Sequence, residues 1–242
     1  MKLRNQVALI TGSSQGLGLA IARRLSAEGA AVSLVARAGD KLDQAASELA
    51  GSDGRAIAAA ADVTREGEVE RAVRLTLEAF GRLDIVVLNA GAWQGAPIAE
   101  TTEQTWDTLI DLNLKGAFLT LKHAIPALTA ARRGTVVGIA SLGALVGQPG
   151  SAAYAASKWG LRGLLESAAL ELKPSRIRVS LVYPHNINSA GRAIAPGSEE
   201  RDRNLEPAEI AEMVAWICMA PEHVSVGNVT VWPIHAGLKA QL

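Results

Sequence analysis

Short apolar segments alternate with longer amphipathic segments along nearly the whole chain. Seven apolar segments are four to six residues long, which is typical of strands that are buried on both faces of a parallel sheet. They are residues 7–10, 32–36, 57–60, 85–88, 135–140, 178–183 and 229–232. Right-handed connections through the intervening helices predict a doubly wound, Rossmann-type α/β fold with helices on both faces.

The amphipathic segments carry helix start and stop signals. Residues 17–28 end at Gly29, and Thr101 with Gln104 has the spacing of a capping box. Pro207 followed by Glu209 marks the first turn of a last helix. We expect one domain over residues 1–242. The long segment 184–206, rich in Gly, Pro, Ser and charge, is predicted to be a lid or substrate loop.

Composition narrows the function classes. The chain has 242 residues with 24 basic and 24 acidic side chains, so a net charge of zero gives no reason to expect nucleic acid or an anionic membrane as partner. One cysteine excludes an internal disulfide framework and favours a cytoplasmic protein. No apolar stretch reaches the length of a membrane span. Four histidines are scattered without ligand spacing, so we predict no metal site.

A glycine-rich turn lies between the first apolar segment and the first helix. Glycine permits a tight turn and close approach of a pyrophosphate, and the amides at the start of the helix can hold that anion. This placement favours nucleotide binding over a plain turn. The predicted cofactor contacts here are Gly12, Ser14, Gln15, Gly16, Leu17 and Gly18.

The end of the second apolar segment bears on which nicotinamide cofactor would bind. NAD-selective dinucleotide folds place a carboxylate there for the ribose hydroxyls, whereas this chain has Ala36 followed by Arg37. A guanidinium can bind the 2′-phosphate of NADP(H) through charge-assisted hydrogen bonds. The sequence therefore favours NADP(H) without excluding NAD(H). The alternative is that Arg37 is a solvated loop cation.

Polar residues also follow the third and fourth apolar segments. Asp62 and Val63 come after the third, and Asn89, Ala90 and Gly91 come after the fourth. These positions lie at the carboxyl ends of strands, where doubly wound sheets bind ligands. Asp62 could accept a hydrogen bond from an adenine amino group, whereas Asn89 could be only a turn former.

Tyr154 and Lys158 are one helical turn apart and therefore share a face. Lowering a tyrosine pKa from about 10 by roughly 3 units requires about 4 kcal/mol. A cation at about 4 Å supplies that much at an effective dielectric near 20. We expect Lys158 to favour the Tyr154 phenolate, and Ser141, thirteen residues upstream, to offer a hydroxyl to the same oxygen. The alternative is a chance pairing of a buried tyrosine with a snorkelling lysine.

Together these residues resemble the short-chain dehydrogenase/reductase family with a Tyr-x-x-x-Lys active site. The resemblance covers nearly the whole chain and extends to Asn113 and Pro184. It implies hydride transfer between a nicotinamide and a carbonyl or alcohol, with Tyr154 exchanging the proton. It also implies that Ser141 holds the substrate oxygen, that Lys158 binds the cofactor ribose, and that Asn113 fixes a relay water.

The sequence departs from the family pattern at the start of the substrate loop and at the C-terminal segment. His185 follows Pro184 where the family usually has glycine, and Ser189 stands where a threonine commonly touches the carboxamide. Ile187 is a further predicted cofactor contact. The C-terminal segment lacks the frequent Val-Asp-Gly-Gly ending and is similar to a subgroup that reduces varied ketones and hydroxy acids.

A substrate pocket is predicted around four residues: Trp93, Leu142, Gln148 and His185. The bland alternative for His185 is a loop side chain turned to solvent. Arg192 is the one obvious anion clamp in the loop, so a small or medium neutral carbonyl is favoured as substrate. The resemblance implies a homodimer or homotetramer in which the helices carrying Asn113 and Tyr154 pair, with Trp159 and Trp106 in the core or at an interface.

Two other functions compete with this interpretation. A 3-oxoacyl-thioester reductase would use a basic surface for an acyl carrier protein, for which Arg132 and Arg133 are candidates. A nucleotide-sensing regulator or scaffold on the same fold has no need of Tyr154 and Lys158 together, so it is disfavoured.

Overall fold

Seven parallel strands form one sheet in the computed structural model, which describes residues 1–51, 55–188 and 202–234. The strands are β1 (Val7–Thr11), β2 (Ala31–Ala36), β3 (Ala56–Ala60), β4 (Ile85–Leu88), β5 (Gly134–Ile139), β6 (Ile177–Pro184) and β7 (Asn228–Val231). Their order across the sheet is β3-β2-β1-β4-β5-β6-β7. The predicted fold class is confirmed, and each predicted strand end lies within one residue of the observed end.

Helices cover both faces of the sheet. They are α1 (Gly16–Ala27), α2 (Asp40–Ala50), α3 (Glu66–Phe80), α4 (Glu103–Ile110), α5 (Gly116–Ala131), α6 (Ala152–Leu172) and α7 (Pro207–Met219). A π-helical turn, Asp111–Lys115, joins α4 to α5, and a 3-10 turn, Leu142–Ala144, precedes α6. Within the described ranges, no helix is both long and apolar enough to cross a membrane.

Two apolar cores lie on opposite faces of the sheet because successive strand residues point to opposite sides. On one face, Leu9 and Val86 pack with residues of α3, α5 and α6. On the other, Ile10 and Val87 pack with residues of α1, α2 and α7. Central strands such as β1 and β4 are therefore buried on both sides, which explains their continuous apolar sequences.

The capping residues differ from the sequence prediction at α4. The N-cap is Thr102, whose side chain accepts a hydrogen bond from the Thr105 backbone at 3.1 Å. Thr101 instead ends the preceding 3-10 turn, and its hydroxyl donates to the Pro97 carbonyl at 3.1 Å. The predicted Thr101–Gln104 box is therefore wrong by one residue. A reciprocal capping box does occur at α7, between Glu206 and Glu209.

Arg178 on β6 anchors the C-terminal end of α7. Its guanidinium donates to the carbonyls of Cys218 and Ala220 at 3.4 and 2.9 Å, and to the Val224 carbonyl at 3.0 Å. The last carbonyls of a helix have no partner within the helix, and a cation there complements the helix dipole. This contact fixes the connection from α7 to β7 beside the end of β6.

The base of the predicted substrate loop is ordered by a short bridge. Ile187 pairs with Leu205 in parallel orientation, and the Asn188 amide donates to the Leu205 carbonyl at 2.7 Å. Ser189 and Arg192 lie outside the described residues, as does most of the loop. The two ends of the loop therefore lie side by side just beyond the carboxyl end of β6.

Candidate active site

The carboxyl ends of β1 and β4 meet where the strand order reverses, and their two loops are joined by hydrogen bonds. The Thr11 hydroxyl accepts from the backbone amides of Asn89 and Ala90, each at 3.0 Å. The Asn89 side chain donates to the carbonyls of Thr11 and Gly12 at 2.9 and 3.2 Å. Asn89 therefore bonds directly to the glycine turn and is not only a turn former.

The glycines of this turn are required by close packing and by backbone conformation. Gly12 has φ of +67°, and a Cβ there would lie 2.9 Å from the Ala90 Cα. A Cβ on Gly18 would overlap the Gly12 carbonyl oxygen. Gly16 has φ of +58° and open space around it.

The first turn of α1 is available to an anion. No side chain caps it, although Gln15 is at the N-cap position. Uncapped amides at a helix start suit a pyrophosphate, so the turn fits a dinucleotide.

Cations lie on the side of the turn nearest β2. Arg37 is exposed at the end of β2 and makes no ion pair within the described residues. Lys41, in the first turn of α2, donates from Nζ to the Gln15 Oε1 at 2.7 Å, beside the start of α1. Both side chains are exposed, so their charge is directed to solvent or to a ligand.

Asp62 lies after β3 on the same side of the turn. Its Oδ1 accepts from the Thr64 amide and hydroxyl at 2.9 and 2.8 Å. These bonds, led by the backbone bond, lower the pKa of Asp62, with Arg65 and Arg37 adding to the shift. Val63 is buried against Gly116, where a Cβ would lie 2.7 Å from the Val63 side chain. Asp62, the predicted acceptor for an adenine amino group, is thus held ionised by the turn that follows β3.

Asn113 lies in the π-helical turn and is almost fully buried. Its Oδ1 accepts from the Ala92 amide at 2.8 Å, and its Nδ2 donates to the Ala92 carbonyl at 3.0 Å. Nδ2 also donates to the Ser157 hydroxyl at 2.9 Å, which in turn donates to the Tyr154 carbonyl at 2.7 Å. The Asn113 amide therefore links the loop after β4 to the helix that carries Tyr154. The relay water implied by the resemblance stays a prediction.

Tyr154 and Ser141 are brought together by β5 and α6. The Ser141 hydroxyl caps the 3-10 turn after β5 by accepting from the Gly143 amide at 3.1 Å. Gly143 leaves room for the phenol, because a Cβ there would lie 3.2 Å from the Tyr154 ring. Burial raises the pKa of Tyr154, and a hydrogen bond with the Ser141 side chain opposes that rise.

Lys158 is 5% exposed and donates from Nζ to the Ile139 carbonyl at 2.9 Å. Its Nζ lies 5.9 Å from the centroid of the Tyr154 ring. Burial lowers the pKa of Lys158 to about 8. The expected lowering of the Tyr154 pKa by Lys158 is absent, because the ammonium bonds to the end of β5 and burial disfavours both charged forms.

A cavity of about 620 Å³ opens beside these groups. It is lined by most of the predicted catalytic and substrate residues and by several predicted cofactor residues. These are Leu17, Asn89, Gly91, Trp93, Ser141, Leu142, Gln148, Tyr154, Lys158, Pro184, His185 and Ile187. The remaining predicted residues surround the glycine turn or, like Asn113, lie behind the wall. Within the described ranges, no group of three or more His, Cys, Asp or Glu side chains could hold a metal ion.

Two loops beside the cavity are joined by a backbone hydrogen bond. The Ala96 amide donates to the Gly150 carbonyl at 2.9 Å, which joins the loop after β4 to the loop before α6. Trp93 is 67% exposed and lies against Gly95, where a Cβ would be 2.8 Å from the indole ring. The absence of a side chain at Gly95 therefore lets the Trp93 indole, which lines the cavity, pack against this loop.

Some residues of the site are not apparent from the sequence. Ser157 connects Asn113 to the backbone of Tyr154. Val146 and Asn186 line the cavity beside predicted residues. Each has an ordinary side chain in a helix or loop, so only its tertiary neighbours distinguish it.

Comparison with known proteins agrees with this geometry. The family model described as short chain dehydrogenase matches residues 6–196. The chain belongs to the short-chain dehydrogenase family, whose members are oxidoreductases. An uncharacterized oxidoreductase of Listeria innocua, Lin0452, is 32% identical over 243 residues, which cover 96% of this chain and 98% of the relative. The family resemblance read from the sequence is thereby confirmed.

Two solved structures extend the comparison. A metagenomic short-chain oxidoreductase in complex with NADP is 38% identical, with a TM-score of 0.83, covering 96% of this chain and 99% of its own. An alcohol dehydrogenase from the archaeon Thermococcus sibiricus, complexed with 5-hydroxy-NADP, is 31% identical with a TM-score of 0.87. That match covers 95% of this chain and 97% of the archaeal one.

Because the Lys158 ammonium is buried, we expect the Lys158→Met substitution to stabilise the cofactor-free protein. Because the folded-state pKa of about 8 is below the ordinary 10.5, the charged lysine costs about 3 kcal/mol at pH 7. The variant leaves the Ile139 carbonyl unpaired, which costs about 1 kcal/mol. We therefore expect the free energy of unfolding to rise by about 2 kcal/mol. The gain shrinks as the pH rises from 8 through 10.5, because the wild type then loses its buried charge.

Urea unfolding of both proteins between pH 7 and 10 measures this difference. Lys115→Met is the matched control, since Lys115 is exposed and pairs only with Asp111. A Lys158→Met protein that is less stable than the wild type at pH 7 would contradict the prediction.

Proposed function

We propose that the protein transfers hydride between NADP(H) and a small or medium uncharged carbonyl compound or secondary alcohol. The observation that carries this proposal is the meeting of Ser141, Tyr154 and Lys158 in the wall of one cavity. A dinucleotide-fitting glycine turn borders the same space. A nucleotide sensor or scaffold needs the turn but not the proton-transfer groups, so the geometry favours an enzyme.

When bound beside the glycine turn, NADPH would supply a hydride for the carbonyl carbon. Tyr154 would give its phenol proton to the carbonyl oxygen. The raised pKa keeps the phenol protonated near neutral pH, which suits a proton donor in reduction. Ser141 accepts from Gly143 and is therefore left with its own proton to donate to the substrate oxygen. The Tyr154 phenolate formed by the transfer regains its proton from solvent.

The cation pair near β2 supports a preference for NADP(H). Arg37 and Lys41 are exposed just after β2 and in the first turn of α2, and the Lys41 ammonium bonds to the Gln15 side chain beside the start of α1. A 2′-phosphate would pair with both side chains, whereas a ribose hydroxyl would gain little from them. The NADP bound by the metagenomic relative supports the same choice.

The lining of the cavity supports an uncharged substrate. Its apolar wall includes Leu142, Val146 and Trp93, and Lys158 is the one ionised side chain among the described residues that line it. Arg132 and Arg133 precede β5, at the opposite edge of the sheet, and Arg133 pairs with Asp84 and Glu222. A carrier protein docked on these arginines would be far from the cavity, so the thioester-reductase alternative loses its support.

A Tyr154→Phe variant tests the proposed reaction. We expect kcat to fall on the order of 10²–10⁴-fold, because the ring keeps its packing but has no proton to transfer. The measurement follows NADPH absorbance with a panel of diketones, aryl ketones, sugars and 3-oxoacyl thioesters. NADPH binding, measured by calorimetry, should stay within a few-fold of the wild type. Reduction by the variant within tenfold of the wild-type rate would overturn the mechanism.

An Arg37→Glu variant tests the cofactor preference. Loss of the charge-assisted bonds should raise the Kd for NADPH about 10- to 100-fold, while binding of NADH is unchanged or improved. Lys41→Met should shift the same ratio in the same direction by a smaller factor. Calorimetric titration with each cofactor gives both values. Lys122→Met, which removes a cation paired with Glu66, is the matched control. An equal loss for both cofactors would contradict the preference.

We also propose that α5 and α6 form a subunit interface in a homodimer or homotetramer. Phe118 on α5 is 45% exposed and Trp159 on α6 is 49% exposed. Trp106 on α4 is 44% exposed, and α4 packs against α6. Three large aromatic side chains on neighbouring helices are typical of a protein contact surface.

Sedimentation velocity tests this interface. The wild type should sediment as a dimer or tetramer, and Phe118→Glu should shift the distribution towards monomer, because it buries a charge in an apolar contact. Leu75→Glu, an equivalent change at an exposed position of α3, should leave the distribution unchanged. A monomeric wild type at micromolar concentration refutes the proposal.

A further inference from the structure

His185 has an unusual environment in the cavity wall. It directly follows β6, and its backbone amide donates to the Val231 carbonyl at 2.9 Å, which fixes its position. Its Nδ1 atom is buried and has no hydrogen-bond partner. Burial also lowers the pKa of His185, and none of the described residues that line the cavity is a carboxylate that could reverse that shift. The imidazole is therefore neutral at pH 7.

The unpartnered Nδ1 determines which nitrogen carries the proton. A neutral imidazole has one N–H donor and one acceptor nitrogen. An unpaired N–H is the costlier group to bury, so the proton belongs on Nε2. No hydrogen bond of the ring within the described residues favours the other tautomer. Nε2 is not among the buried unpaired atoms, so its N–H is open to the cavity.

Ser141 and His185 follow adjacent strands and line the same cavity. Ile139 of β5 pairs with Val182 of β6, and the Ala140 amide donates to the Val182 carbonyl at 2.8 Å, so β5 and β6 stay together up to the residue before Ser141. Both side chains contribute to the wall that also contains Tyr154 and Lys158. A substrate whose oxygen is held by Ser141 can therefore also contact the imidazole.

We propose that His185 donates a hydrogen bond from Nε2 to a second oxygen of the substrate, on the carbon next to the reacting carbonyl. The preferred substrates are then 1,2-dicarbonyl compounds, of which one carbonyl receives the hydride and the proton to give an α-hydroxy ketone. This inference rests on the proposed function, because it assigns a substrate class to the same cavity. A simple ketone would offer the Nε2 N–H no second oxygen to bond.

Two substitutions at His185 separate hydrogen bonding from shape. His185→Phe keeps an aromatic ring but has no donor, and His185→Gln keeps an N–H group near the position of Nε2. The measured quantity is kcat/KM for 2,3-butanedione divided by kcat/KM for 2-butanone, with NADPH. The greater intrinsic reactivity of the dione is the same for every variant, so it cancels in the comparison.

The ratio should fall about tenfold in His185→Phe, because one neutral hydrogen bond is lost. It should return to within a few-fold of the wild type in His185→Gln. A ratio that is unchanged in His185→Phe, even if kcat/KM falls equally for both substrates, overturns the inference and leaves the proposed function intact. A wild type that reduces no carbonyl compound overturns both.

Nitrogen NMR of the histidine rings gives a readout that does not depend on turnover. The signals that disappear in His185→Phe belong to this residue. At pH 7 they should have the pattern of a neutral ring protonated on Nε2. Protonation on Nδ1, or a charged ring, would refute the assignment of the donor.

Discussion

The site depends on the contact between the ends of β1 and β4. The Thr11 hydroxyl accepts two backbone amides from the β4 loop, and the Asn89 amide returns two bonds to the β1 loop. Because helices leave these strands in opposite directions, the two loops border a crevice. Their mutual hydrogen bonds fix the glycine turn at the start of α1, where Gly18 permits the approach of Gly12. The position of a bound dinucleotide follows from this contact.

A second network sets the proton-transfer groups relative to that turn. Asn113 bonds to both backbone groups of Ala92 and, through Ser157, reaches the carbonyl of Tyr154. The loop after β4 is therefore tied to the glycine turn on one side and to α6 on the other. The π-helical turn that carries Asn113 departs from regular α-helix geometry, which is common at functional positions.

The site also stores unfavourable interactions. Lys158 is buried with a depressed pKa, and the Nδ1 of His185 lacks a hydrogen-bond partner. Each of these groups would be more stable in water than in the apo cavity. The compensating energy comes from two apolar cores that cover the sheet on both faces.

The sequence by itself determined the strands, the parallel sheet and the family, because buried strands and glycine turns require residue types that are visible locally. It also identified Tyr154, Lys158, Ser141 and Asn113 as candidates. Only the tertiary structure decided their environment: the Lys158 ammonium bonds to Ile139, and Thr102 rather than Thr101 caps α4. It likewise decided that His185 has a buried, unpaired nitrogen. Hydrogen-bond partners and burial depend on residues distant in sequence, so no local pattern contains them.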